Sequence, residues 1–333
     1  MSTPKRAGIA AGAVVGAAGL AFGLPRVVAK RLRGRPDGTA SSVLTDPIHE
    51  TLTLPSHDGG TIHVVSEGSG VPIVLSHGVL LSVRTWIRQL ETLPDQGFRV
   101  VAFDHRGHGA STVGDTGFSI DNLGDDVRSV VEGLDLRDAV LVGHSMGGIA
   151  VQSFLLRHPE VAAERIKGVV LLSTLARVPL SGPRAAGLRA LIERVGDLAP
   201  DSARLFGAKN LGFVVTRIGF GRNPKPSHVE LVRQMLSECA FDTRRESPRS
   251  LLGLDFSAQL PDVRIPTLVI TGTADVLTPP AEAKRLAELI PSARLELVPG
   301  GGHMLMLERT ELIDALIADF AREVGARAAA ATG

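Results

Sequence analysis

The stretch that most constrains this chain is Val140-Leu141-Val142-Gly143-His144-Ser145-Met146-Gly147-Gly148. Apolar residues Ala139 to Val142 read as a short buried strand, and Ile149 to Leu156 reads as a helix. Between them, Gly143 to Gly147 fits G-x-S-x-G, so the pattern predicts a sharp strand-to-helix turn with a serine at its tip. Glycines on either side let the two backbones approach where a side chain would clash. Such a turn exposes the Ser145 hydroxyl and aims the Met146 N–H and the helix start at whatever binds there. That arrangement favours developing negative charge.

Strands and helices alternate around this turn. Glu50 to Leu54 and Thr61 to Val65 form a hairpin across Asp58-Gly59-Gly60. Short apolar strands follow at Ile73–Leu75, Arg99–Phe103, Gly168–Leu172, Ile265–Thr271 and Arg294–Val298. Helices are expected at Ser82–Leu93, Asn122–Leu134, Pro280–Ile290 and Leu307–Val324. The pattern predicts an α/β fold, a mostly parallel sheet with helices on both faces. Its functional residues should sit at the carboxyl ends of the strands, where His77, Asp104, Ser145 and Asp275 all lie. The alternation breaks over residues 176–259. There Leu188, Leu191, Ile192 and Val195 share one helical face, and Ser227 to Glu230 reads as a capping box before Val229, Val232, Leu236 and Cys239. This insertion is expected to be a helical cap. Residues 48–175 and 260–325 then make the core, 37–47 a linker and 326–333 a disordered tail.

Charge is uneven. Residues 1–36 carry seven of the 36 basic residues and none of the 35 acidic ones, so the rest holds 29 basic against 35 acidic. An acidic body argues against nucleic-acid binding. Cys239 is the sole cysteine, which excludes an internal disulfide and a cysteine-based zinc site. Ala7 to Leu24 has no charged residue, and as a helix it would span about 27 Å, close to the apolar thickness of a bilayer. Gly8, Gly12 and Gly16, then Gly19 and Gly23, recur at four-residue spacing. Five basic residues follow, Arg26, Lys30, Arg31, Arg33 and Arg35. They favour a membrane anchor over residues 7–24 with a cytoplasmic body. A cleaved signal peptide and a loose Ala/Gly tail are the competing readings. The oligomeric state has no mark in the sequence.

A serine needs a base, and the base needs an orienting group. Asp275 follows the strand ending at Thr271, and His303 closes Gly300-Gly301-Gly302 after the strand ending at Val298, so Ser145, Asp275 and His303 occur in the order such a fold requires. Asp275 also reads as a turn or cap before Thr278-Pro279-Pro280, and Asp255 and Asp262 compete for its role. Met146 N–H is one expected oxyanion donor. Val79 N–H is the second, with Leu80 behind it. His77 and His144 read as packing residues, and Asp104 with Arg106 as an ion pair bracing a loop. Asp104, His105 and His108 are weak as metal ligands. No metal or cofactor is called for.

With these residues in hand, the chain resembles the α/β-hydrolase superfamily over residues 48–325. The blocks that carry the resemblance are His77-Gly78, Asp104 to Ser111, Gly143 to Gly148, Gly272 to Asp275 with Pro279, and Gly302-His303. The resemblance implies an eight-stranded sheet with an antiparallel second strand and a cap after the sixth. It is similar to esterases, monoacylglycerol-lipase-like enzymes, peroxidase-like hydrolases and ring-cleavage C–C hydrolases. Ser145 stands where haloalkane dehalogenases and epoxide hydrolases carry Asp, and Val79 breaks the H-G-G-G block of hormone-sensitive-lipase relatives. The expected activity is hydrolysis of a small or lipid-like carboxylic ester. Cleavage of a diketone C–C bond and a non-catalytic binding role are the alternatives.

Overall fold

A computed structural model describes residues 24–39, 50–178 and 204–332. Its centre is one eight-stranded sheet in the order β1-β2-β4-β3-β5-β6-β7-β8. The strands are β1 (Glu50–Pro55), β2 (Thr61–Gly68), β3 (Val71–Ser76), β4 (Phe98–Phe103), β5 (Ala139–His144), β6 (Ile166–Leu172), β7 (Thr267–Gly272) and β8 (Ala293–Val298). β2 runs antiparallel to both β1 and β4, and every other pair is parallel. The helices are α1 (Leu24–Arg33), α2 (Ile87–Thr92), α3 (Ile120–Gly133), α4 (Met146–Arg157), α5 (Pro159–Arg165), α6 (Lys209–Thr216), α7 (Pro226–Glu238), α8 (Phe241–Ser250), α9 (Pro280–Leu289), α10 (Leu305–Glu308) and α11 (Thr310–Thr332).

Strand periodicity explains the layers. In β5, Val140 and Val142 face a cluster that includes Leu90 of α2 and Ile313 and Phe320 of α11. Leu141 faces the opposite cluster, with Val127 of α3, Phe154 of α4 and Leu286 of α9. β5 and β7 are buried along their whole length, as a sheet covered on both faces requires. Ser119 starts α3 by accepting the Asn122 N–H at 3.0 Å, a cap worth about 1 kcal/mol.

Two local expectations are corrected. The predicted capping box at Ser227 does not form. Pro226 is the first residue of α7, and the freed N–H of Ser227 donates to Asp37 Oδ2 at 2.6 Å. A carboxylate from far away in sequence thus does the capping, which suits the positive end of the helix. The expected tail at 326–333 is helical through Thr332, because Ala-rich sequence extends α11 at little cost. The basic flank expected after residue 24 is helical from Leu24 to Arg33. Arg33 then donates to Asn210 Oδ1 at 2.9 Å, and its guanidinium stacks 4.5 Å from the Phe213 ring centroid. Asp37 and Thr39, within the expected linker, are also tied to α7, Thr39 lying 3.3 Å from His228. Residues 40–47 of that linker, the membrane segment expected at 7–24 except for Leu24, and the predicted helix face at Leu188–Val195 lie outside the described residues. No helix of the described residues is long and apolar enough to cross a membrane.

Candidate active site

Ser145 sits between β5 and α4 at φ 53°, ψ −119°, a conformation a side chain rarely adopts and one costing about 1–3 kcal/mol. Tight packing holds it there. A Cβ on Gly147 would come within 2.2 Å of the Ser76 carbonyl oxygen, and one on Gly143 within 2.6 Å of Gly147 O. Ser145 N–H donates to Leu172 O at 3.0 Å, and its carbonyl accepts from Thr174 Oγ1 at 2.7 Å. The first N–H groups of α4 therefore point out of the turn.

On the neighbouring strand ends, the Asp275 carboxylate meets His303. Asp275 Oδ2 accepts from His303 Nδ1 at 2.9 Å and from Thr278 Oγ1 at 2.7 Å. Oδ1 accepts the Leu277 and Thr278 N–H groups, each at 2.9 Å. The turn-residue and histidine-partner readings of Asp275 are thus both true. Burial by itself would raise the Asp275 pKa, but the His303 hydrogen bond and charge, with those from Thr278, hold it below the ordinary carboxylate value. With Nδ1–H committed to the carboxylate, a neutral His303 offers Nε2 as a base. The competitors are engaged elsewhere. Asp255 accepts from Ser257 N–H, and Asp262 ends an exposed turn.

His303 is fixed from several sides. Its N–H donates to Gly219 O at 2.9 Å, and its carbonyl accepts from His144 Nε2 at 3.0 Å. A carbonyl only accepts, so His144 carries its proton on Nε2. Burial, then the charge of His303, puts the His144 pKa well below its ordinary value, and it is no base. The two rings are 4.7 Å apart by centroid, which sets His303 beside the residue next to Ser145. Among the described residues no hydrogen bond joins Ser145 Oγ to His303. Sequence reading missed Glu308. Its carboxylate accepts the N–H groups of Gly221 at 2.7 Å and of Gly302 and Met304 at 3.2 Å, clasping the histidine loop to the segment before α7. Only its position five residues after His303 hinted at it.

The loop after β3 passes hard against the turn, since a Cβ on Gly78 would lie 2.9 Å from His144 Nδ1 and 3.2 Å from Ser145 Cβ. Val79 N–H makes no hydrogen bond among the described residues. Leu80 N–H does, donating to His108 Nε2 at 3.1 Å, which removes Leu80 as an alternative donor. His77 accepts the His105 N–H at Nε2 (3.0 Å) and donates from Nδ1 to Gly78 O (2.8 Å), so it braces this loop. Burial lowers the pKa of both His77 and His108, the latter to about 3.

The expected Asp104–Arg106 pair does not form. Two residues apart on a turning loop, they point to different partners. Arg106 reaches Asp126 at 2.7 Å and Asp58 at 3.0 Å, while Asp104 accepts from His63 at 3.0 Å and from Val83 N–H at 2.8 Å. No cluster among the described residues has the makings of a metal site.

The family model described as alpha/beta hydrolase fold matches residues 71–310. A non-heme haloperoxidase of Rhodococcus erythropolis is 30% identical over 79% of this chain and 96% of its own length. Among solved structures, a bromoperoxidase from Bacillus anthracis superposes with TM-score 0.73 at 25% identity, covering 82% of this chain and 100% of the other. A thermophilic esterase from Thermogutta terrifontis gives TM-score 0.69 at 26% identity, over 83% and 99%.

Proposed function

The chain belongs to the alpha/beta hydrolase family, and on that premise we propose that it is a serine hydrolase of carboxylic esters, with Ser145, His303 and Asp275 as its triad. The observation that carries this reading is the 2.9 Å Asp275–His303 hydrogen bond on the strand end beside a serine held at φ 53°. His303 Nε2 takes the Ser145 proton as Oγ attacks the acyl carbon. The oxyanion that forms faces the Met146 and Val79 N–H groups. Collapse expels the alcohol, which takes the proton from His303 and leaves an acyl-serine. Water then gives a proton to His303, attacks the acyl carbon and releases the acid, and Ser145 recovers its proton. Small acyl esters fit the likeness to the Thermogutta terrifontis esterase.

Reaction with a fluorophosphonate tests this. Wild type is expected to be labelled on Ser145, and Ser145→Ala is expected to lose both the label and at least about 10³-fold in ester turnover. A folded wild type that takes no label, with large or small probe, overturns the reading. The haloperoxidase relatives support a second reading. In it hydrogen peroxide replaces water at the acyl-serine and leaves as a peroxy acid. Peroxy acid formed by wild type and absent with Ser145→Ala would favour it.

A further inference from the structure

The structure assigns a second surface to this protein: the outward face of α1 docks on an anionic lipid bilayer. Helix α1 is amphipathic. Its inner face, Pro25, Val28, Ala29 and Leu32, is partly or fully buried, and Ala29 and Leu32 join the main core cluster. Its outer face is Arg26, Val27, Lys30 and Arg31, all exposed, with Val27 67% exposed. No carboxylate among the described residues pairs with Arg26, Lys30 or Arg31. Arg33, by contrast, is consumed by Asn210 and Glu230. A shallow depression, with Arg26, Val27 and Lys30 in its lining, lets the Arg26 and Lys30 donors converge on one phosphate group.

Three observations select a bilayer as the partner. An ordinary solvated face mixes charges of both signs, yet residues 1–36 hold seven basic residues and no acidic one. The remainder of the chain is acidic, so an anionic surface attracts this end of the chain and repels the rest. The uncharged apolar run Ala7–Leu24 leads directly into α1, and the apolar Val27 stands among the cations. Nucleic acid would use the cations and leave the apolar residues without a role. The latch from Arg33, Asp37 and Thr39 to α6 and α7 then fixes those helices relative to the lipid surface. The inference holds whether or not Ser145 cleaves esters.

The full chain is mixed with vesicles of phosphatidylcholine, alone or with one third phosphatidylglycerol, and sedimented. We expect binding to the anionic vesicles, loss of that preference at molar salt, and about 100-fold weaker partitioning for Arg26→Gln/Lys30→Gln/Arg31→Gln, near a factor of five per cation. The triple variant replaces only exposed side chains, and its unchanged ester turnover in free solution and circular dichroism report that it is folded. Equal binding to both vesicles, unaltered in the triple variant, overturns the inference, because the apolar run would then do the work alone. Preference for duplex DNA over anionic vesicles overturns it as well.

Discussion

Among the described residues, two histidine–aspartate pairs at the ends of the sheet have hydrogen bonds of nearly the same length: His303–Asp275 at 2.9 Å and His63–Asp104 at 3.0 Å. Both aspartates follow a parallel strand, both are buried, and both carboxylates also accept backbone N–H groups. The difference lies in what carries the histidine. His303 rides on a glycine loop that crosses the strand ends to the turn holding Ser145. His63 is fixed within β2, paired with Thr53 of β1, and lines a cavity of about 280 Å³ with Ser82, Val83 and Ile87. Ser82 has ordinary extended dihedrals, φ −150° and ψ −179°, with none of the strain that exposes Ser145. A histidine oriented by an aspartate is therefore not a catalytic site. In the proposed function the distinction is made by a strained serine with N–H donors that are unpaired among the described residues.

The sharpest way to break this comparison is to make the same change in both pairs. Asp275→Asn is expected to lower kcat for ester hydrolysis by about 10⁴-fold, because His303 loses the partner that fixes its tautomer. Asp104→Asn is expected to leave kcat within about threefold while lowering stability by about 1–3 kcal/mol, the cost of weakening buried hydrogen bonds. Steady-state kinetics and urea unfolding on both variants check this. Comparable losses of kcat in the two would show that the pairs are not functionally distinct.

A smaller effect is expected at Glu308, which does for the His303 loop what β-pairing does for His63. Half-buried and clasping three backbone N–H groups, it keeps His303 within reach of the turn. Glu308→Gln keeps the shape but replaces an acceptor oxygen with a donor facing N–H groups. We expect about a 10–100-fold loss in kcat with KM little changed, the scale of a displacement of about 1 Å. Slower fluorophosphonate labelling at saturating probe would show that His303, and not substrate binding, is affected. A rise in KM with unaltered kcat would place Glu308 outside the positioning of His303.

The sheet and the turn were legible because local rules govern them. Strand burial on two faces and the glycines around Ser145 leave marks within a few residues. Asp275 and His303 were legible for the same reason, each lying just past a strand. Partners set by tertiary packing were not. Arg106 could have paired with Asp104 on sequence distance, yet it reaches Asp58 and Asp126 through folds of the chain. Ser227 carried a capping signature, but Asp37 outcompetes it from 190 residues away. Leu80 and Val79 differed in nothing visible until His108 claimed the Leu80 N–H. Glu308 had no signal beyond its nearness to His303, because the N–H groups it satisfies come from two separate segments.

The smallest expected effect is a matter of pH, and it separates the His63–Asp104 pair from the buried histidines near it. The Asp104 hydrogen bond raises the His63 pKa above its ordinary 6.5, against a smaller lowering by burial. The folded state therefore binds the His63 proton more tightly than the unfolded chain. This stabilisation is complete below pH 6.5 and is lost as pH rises through the folded value. For the half-buried His63 it amounts to about 0.5–1 kcal/mol. His77 and His108 have depressed values, so their contribution runs the other way: present above pH 6.5 and lost on acidification. In a comparison of wild type with His63→Gln, those shared histidines cancel. The wild-type advantage in Tm is expected to be about 1 °C near pH 6 and to shrink towards zero near pH 9. An advantage that stays constant or grows with pH would mean that His63 is held neutral. The pair would then be a hydrogen bond without a charge, and Asp104 would orient the His63 ring without holding its second proton.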